Sequence, residues 1–317
     1  MVQEEATRRT QIIAIGNQKG GVGKTTNTVH IAAALAEMGR RCLIFDLDMN
    51  HGATRHFGIP ADSFLGAFEV LTGEEQPLDV IITGEGDDDV FLPENIHLIA
   101  ARRKLEKIDQ ALASKNKFIV TQDVLLDPLE TLKGRYDYIF LDTAPNATTP
   151  TIAAYKAADW FILSAIPDPF AIAGLNDALA DIQAAQAHGN KNLRLLGVVL
   201  SVVDKRTNLA NSLSDYVEKI FTPDGGRSAK FDTIISRSTV VPQTQEQGRT
   251  LFETHKNHKV TDQYRELAIE VEARIAKALG YPEVLEERTK RAEEVTPSSK
   301  PDAAEAELVG QAEVVNG

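Results

Sequence analysis

A lysine- and glycine-rich run, Lys19-Gly20-Gly21-Val22-Gly23-Lys24-Thr25-Thr26, follows the apolar stretch Ile12-Ile13-Ala14-Ile15 and precedes a helical pattern. A strand that turns through glycines into a helix aims several backbone N–H groups at one point, and the helix N-terminus adds partial positive charge there. Such a nest binds phosphate. In this setting Lys24 offsets the charge of the outer phosphates of a nucleotide, and the Thr25 hydroxyl holds Mg²⁺. Gln18 stands where the common G-x-x-x-x-G-K-[ST] pattern has its first glycine, and an extra lysine, Lys19, stands beside it.

Two further groups of carboxylates follow apolar runs. Asp46 and Asp48 lie in Phe45-Asp46-Leu47-Asp48-Met49-Asn50, and Asp142 ends the run Tyr138-Ile139-Phe140-Leu141. If those runs are strands of one parallel sheet, all three acids stand at its carboxyl edge, beside the glycine loop. Taken alone, aspartates at that position serve equally well as loop caps.

The elements that must hold these residues are legible as alternation. Apolar runs at 11–16, 41–46, 96–100, 137–142, 160–166, 195–202 and 232–235 are separated by helical spacing. That order predicts an α/β fold, a mostly parallel twisted sheet flanked by helices, of the P-loop NTPase kind. A helix over 25–38 carries Val29, Ala32, Ala33, Leu35 and Ala36 on one side and stops at Gly39. Another runs from Val260 to Leu279 and stops at Gly280, with Pro282 beyond. The division expected is an N-terminal extension at 1–10, one ATPase domain at 11–282 and a disordered acidic tail at 283–317.

Composition narrows the function classes. The 317 residues carry a net charge of −12, of which the tail, with nine acidic and four basic residues, supplies −5. A second acidic knot occupies Glu85 to Asp89. Any nucleic-acid contact must therefore come from a local basic patch. The single cysteine, Cys42, lies inside an apolar run and reads as a buried hydrophobe, so neither a disulfide framework nor a cysteine-built cluster is expected. No apolar run approaches the roughly 20 residues of a membrane span. Met1 to Thr10 is charged and polar, unlike a signal peptide, and a cytoplasmic protein is expected.

Residues 19–26 resemble the deviant Walker A motif, K-G-G-x-G-K-T-T, of the ParA/MinD family of ATPases. The resemblance extends over about residues 11–280. Asp46 and Asp48 resemble the family's D-x-D-x-Q box, with Asn50 in place of glutamine, and the run ending at Asp142 resembles Walker B. Asp204-Lys205-Arg206-Thr207 resembles a D-x-R-T turn, and the segment Ile234 to Gly248 weakly resembles a later box containing Arg237. This membership implies ATP and Mg²⁺ as cofactors, with residues Lys19, Gly20, Gly21, Val22, Gly23, Lys24, Thr25 and Thr26 on the nucleotide. It also implies that Lys19 reaches the nucleotide of a second subunit in an ATP-dependent homodimer. By the same resemblance Lys24 and Lys19 act on the transferred phosphate, Asp48 holds the attacking water, and Thr25, Asp46 and Asp142 support the metal. Adenine contacts are expected from loops at 204–208 and 242–246.

In the ParA branch, basic residues late in the fold bind DNA without sequence preference, and a ParB-like adaptor stimulates hydrolysis. The matching candidates are Arg206, Lys219, Arg227, Lys230 and Arg237, among a broader basic set with Lys205 and Arg249. Each could equally belong to a solvated mixed-charge face. With ten residues before the first strand, no helix-turn-helix reader is expected. Two alternatives are open: a MinD-like membrane-cycling regulator, disfavoured by an acidic tail without Phe or Trp, and a P-loop carboxylate-activating enzyme. No membrane anchor is evident.

Overall fold

The computed structural model describes residues 9–60, 62–84, 90–115, 120–204, 206–221 and 228–281. The acidic knot, the expected tail, and the candidates Lys205 and Arg227 lie outside them.

Seven strands form one sheet: β1 Gln11–Gly16, β2 Cys42–Asp46, β3 Ile81–Ile82, β4 Ile96–Ile99, β5 Tyr138–Asp142, β6 Trp160–Ala165 and β7 Arg194–Leu200. Their spatial order is β3-β4-β2-β5-β1-β6-β7, with every pairing parallel except the short antiparallel β3 at one edge. The helices are α1 Lys24–Glu37, α2 Gly52–His56, α3 Ala67–Thr72, α4 Ile108–Lys115, α5 Leu126–Leu132, α6 Thr149–Ala157, α7 Ala171–Ala187, α8 Asn208–Ile220, α9 Val240–Glu246, α10 Leu251–Thr254 and α11 Lys259–Ala278.

The continuous apolar runs arise because both faces of the sheet are covered. Along β1, Ile12 and Ala14 join the core on one face while Ile13 and Ile15 join the core on the other. Leu43 and Phe45 are separated from Cys42 and Ile44 in the same alternating way. One core is closed by α1 and α11, through Val29, Ile31, Leu35, Leu267 and Val271. The other is closed by helices that include α6, α7 and α8, through Ala153, Leu175 and Leu213.

The chain divides into a body, Met1–Ile275, and a C-terminal unit, Ala276–Gly317. In the described part of the latter, Tyr281 N donates to Ala276 O at 2.8 Å and Gly280 takes φ 82°, the helix stop expected there.

Three expectations change. No strand forms over 232–235; isolated bridges flank the segment, Val198 with Lys230 and Val203 with Ser236, and Ile235 N donates to Leu200 O at 3.0 Å. Residues 242–246 belong to α9 and are not a loop. Helix α1 has no one-sided apolar stripe, because it is buried nearly all round, including the polar Asn27, Thr28 and His30.

Candidate functional site

The register of the central strands brings the chemical residues together. Asp142 at the end of β5 lies between Asp46 on β2 and Ile15 on β1. The glycine loop therefore leaves β1 beside two buried aspartates at the carboxyl edge. Crossing into the loop, Gly21 takes φ 72° and Gly23 takes φ 85°, the left-handed region in which a side chain is strained. Two buried polar groups pin the loop from below: Asn17 Nδ2 donates to Ser164 O at 2.8 Å, and Ser164 Oγ donates to Val22 O at 2.6 Å.

Lys24 lies in this edge with its Nζ donating to Lys19 O at 2.9 Å. Burial lowers its pKa, against the opposing charges of Asp142 and Asp48. Thr25 Oγ1 donates to Asp142 Oδ2 at 2.8 Å, and Thr28 Oγ1, one turn on, donates to Asp142 Oδ1 at 3.1 Å. Burial raises the Asp142 carboxyl even so, and Asp48 adds to the rise.

Asp46 is fully buried and faces α2. Its Oδ2 accepts from Thr54 N at 2.9 Å and Thr54 Oγ1 at 2.8 Å, while its Oδ1 accepts from Asp48 N at 3.2 Å. Burial first, then the charge of Asp142, push this carboxyl upward. Asp46 thus ties the loop after β2 to α2. Asp48, 8% exposed, accepts at Oδ1 from Asn50 N at 2.9 Å and Asn50 Nδ2 at 3.0 Å. Helix α2 approaches the phosphate loop closely: a Cβ added at Gly52 would lie 2.7 Å from Thr25 Oγ1.

Among the described residues no group of three or more His, Cys, Asp or Glu side chains could hold a metal ion by itself. The donor set here, one hydroxyl and one carboxylate beside a phosphate nest, fits Mg²⁺, which keeps waters and takes its remaining ligands from phosphate oxygens. The positive-φ glycines and the open space around Gly20, with no atom within 4 Å of an added Cβ, fit a phosphate chain.

Lys19 is set apart from Lys24. Its Nζ forms an ion pair with Asp168 and lies 5.5 Å from the centroid of the Phe170 ring, which is 71% exposed. Gln18 Nε2 donates to Asp181 Oδ2 on α7 at 2.8 Å. The residue in place of the first glycine thus anchors the loop to a helix.

The basic candidates do not form one cluster of equal standing. Arg206 is held by Asp204 through Nε at 2.9 Å and Nη2 at 2.7 Å, which lowers the Asp204 pKa. Lys230 Nζ donates to Ser214 and Glu218. Lys219 and Arg237 are exposed.

Several site residues carry no motif. Asn27 on α1 donates from Nδ2 to Ser164 Oγ at 2.8 Å and Ser201 Oγ at 3.0 Å, and its Oδ1 accepts from Tyr264 OH at 2.9 Å. This network joins β6, the residue that follows β7, and α11 under the loop. A buried polar side chain on a helix entering from a phosphate loop was the available signal, but its partners lie 137 to 237 residues away.

A family model described as an AAA domain matches residues 10–195. The sporulation initiation inhibitor protein Soj of Bacillus subtilis is 31% identical over 265 residues, covering 83% of this chain and 98% of that one. The chromosome-partitioning ATPase Soj of Thermus thermophilus is 32% identical, covering 84% and 97%. Among solved structures, cobyrinic acid a,c-diamide synthase from Mycobacterium smegmatis with bound ADP and magnesium superposes with a TM-score of 0.67 at 25% identity, covering 85% of this chain and 96% of that one.

Proposed function

This chain belongs to the ParA/MinD-type family of P-loop ATPases, and we propose that it is a partition ATPase whose ATP-bound dimer holds nonspecific DNA and positions a cargo. The observation that carries the reading is the joint presence, at one sheet edge, of Lys19 in the phosphate loop, the Thr25–Asp142 bond and Asp48.

In this reading the loop amides and residues Lys19 to Thr26 receive the phosphates of ATP. Thr25 and Asp142 would hold Mg²⁺. The bound ion would neutralise charge on the phosphate oxygens and orient them. Asp46, bonded to Thr54 and the Asp48 amide, supports the metal side by fixing the loop. Asp48 accepts a hydrogen bond from the attacking water, whose oxygen bonds the terminal phosphorus as the bridging P–O bond breaks and whose proton passes to the phosphate product, giving ADP and phosphate. Lys24, and Lys19 from a second subunit, offset the charge that develops on the phosphate oxygens.

Hydrolysis then resets a DNA-binding state. Arg237 and Lys219 are the first choices for backbone contacts. Arg206 and Lys230 would have to exchange Asp204 and Glu218 for phosphate, and Arg227 is proposed on sequence grounds alone. A ParB-like adaptor is the stimulating partner. Among the described residues no helix is long and apolar enough to cross a membrane.

DNA binding measured with ATP, with ADP and without nucleotide, at two salt concentrations, tests the reading. ATP-dependent, salt-sensitive binding is expected, because phosphate contacts release counterions; absence of binding in every condition overturns it. Asp48→Ala should retain ATP binding and dimerisation while losing hydrolysis. A second reading, a carboxylate-activating enzyme, is favoured by the likeness to the diamide synthase. A small carboxylate substrate, in place of DNA and adaptor, would then raise turnover.

A further inference from the structure

We propose that Asn50 is a positioning residue for hydrolysis, acting through Asp48. The inference rests on the reading of Asp48 as the acceptor for the attacking water.

The backbone of Asp48 is held on both sides. Its N–H donates to Asp46 Oδ1 at 3.2 Å, and its carbonyl accepts from His51 N at 2.7 Å. Closing that turn places His51 at φ 46°, ψ 50°, a left-handed conformation that a residue with a Cβ adopts at a cost, so the turn is held firmly by its surroundings. The remaining freedom of Asp48 is rotation of its carboxylate. Asn50 removes it: the backbone N–H and the side-chain Nδ2 both donate to the same oxygen, Oδ1, at 2.9 and 3.0 Å. Oδ2 is then the oxygen left to accept from water.

The chemistry of the side chain suits this role. An amide is a neutral donor, so it fixes the carboxylate without neutralising it, whereas lysine or arginine would weaken its basicity. The short asparagine arm reaches two residues back to Oδ1. A glutamine carries the same donor on one more methylene, so it can restore the bond with looser geometry. Orientation at this level changes rates far more than affinities, because a displaced acceptor no longer meets the water along the line of attack.

Steady-state ATPase kinetics of the full chain with Mg²⁺ and DNA, on Asn50→Ala, Asn50→Gln, Asn50→Asp and Asp48→Ala, provide the test, with ATP affinity measured by calorimetry. Asn50→Ala is expected to lower kcat about 10- to 100-fold, with ATP affinity within about twofold, and Asn50→Gln to recover part of the loss. Asn50→Asp, which removes the amide donor and sets a second carboxylate against Asp48, should lower kcat at least as far as Asn50→Ala. An unchanged kcat in Asn50→Ala, while Asp48→Ala is inactive, overturns the role of Asn50 alone. Normal hydrolysis by Asp48→Ala overturns the reading of Asp48 and this inference with it. Equal loss of ATP affinity in the Ala and Gln variants also overturns it, in favour of a purely structural part.

Discussion

Lys19 and Asp168 are ion-paired within one chain, across the gap between the phosphate loop and the segment that enters α7. The lysine that family resemblance sends to a second subunit is thus held in cis, with 31% of its side chain exposed. Dimerisation in the proposed cycle requires breaking this pair. Partly exposed ion pairs of this kind contribute about 0–1 kcal/mol. Asp168→Asn should therefore tighten the ATP-dependent dimer by up to about fivefold, read by sedimentation at several protein concentrations. A dimer weakened by the substitution would show that Asp168 assists the crossing.

Gly52 tests the contact between α2 and the phosphate loop. A methyl group there meets Thr25 Oγ1 at 2.7 Å and Thr25 Cγ2 at 3.3 Å, so the hydroxyl must turn away from Asp142. Gly52→Ala should lower kcat by about tenfold or more, consistent with loss of one preorganised ligand, and raise the Mg²⁺ concentration needed for half-maximal rate. Equal kcat and equal Mg²⁺ dependence in Gly52→Ala would remove Thr25 from the metal site.

Acid should unfold this protein partly through two buried histidines. His30 on α1 and His56 on α2 meet edge to face, with ring centroids 5.3 Å apart, and His30 stacks on Tyr264 at 4.9 Å. Burial holds His30 down at about 3 and His56 at about 4. Because the unfolded chain takes up these protons near pH 6.5, stability present above that pH is lost as pH falls toward 4. The raised carboxyls of Asp46 and Asp142 slope the other way, so a difference between two chains isolates the histidine. His56→Gln keeps an N–H for Arg249 O, which His56 Nε2 contacts at 3.1 Å, and cannot titrate. Denaturant melts at pH 6.5 and 4 should show the wild type losing on the order of 3 kcal/mol more than the variant. Parallel losses would mean that His56 does not report the acid transition.

Val202 follows Ser201 at φ 56°, an outlying backbone for a β-branched residue, with its side chain 41% exposed. Its neighbours hold it there: Ser201 N donates to Ala165 O and Val203 N to Ile235 O. Glycine adopts this conformation without the left-handed penalty of roughly 1–2 kcal/mol, against a loss of about 0.5–1 kcal/mol from its looser unfolded chain. Val202→Gly should raise Tm by about 1–3 °C. A lower Tm would mean that the valine side chain stabilises more than its backbone costs.

The parts of the site that could be read without coordinates are those whose meaning is local. Lys19 to Thr26 follow a strand and open a helix, and Asp46 and Asp142 end apolar strands; in a parallel sheet these positions share one edge whatever the details of packing. The short β3 and the bridges around Lys230 and Ser236 escaped notice, because two-residue ladders have no periodicity to detect. Helix α1 misled for a related reason. Its apolar spacing suggested one covered face, yet Asn27 and His30 are buried as well, against Ser164, Ser201, Tyr264 and His56.

By itself the sequence determined the order of strand, phosphate loop, acidic box and terminal aspartate, because each depends on neighbours in the chain: alternation sets the strand, glycine sets the turn, and burial on both faces sets the apolar run. Tertiary structure alone decided which partner each charge has. Lys19 meets Asp168, Asp46 turns to Thr54 and Gln18 reaches Asp181. The Lys19 and Gln18 partners lie well over a hundred positions away, and even Thr54, eight positions on, is brought to Asp46 by the packing of α2. Side-chain pairing is set by distances of a few ångströms between folded elements, and no spacing along the chain encodes them.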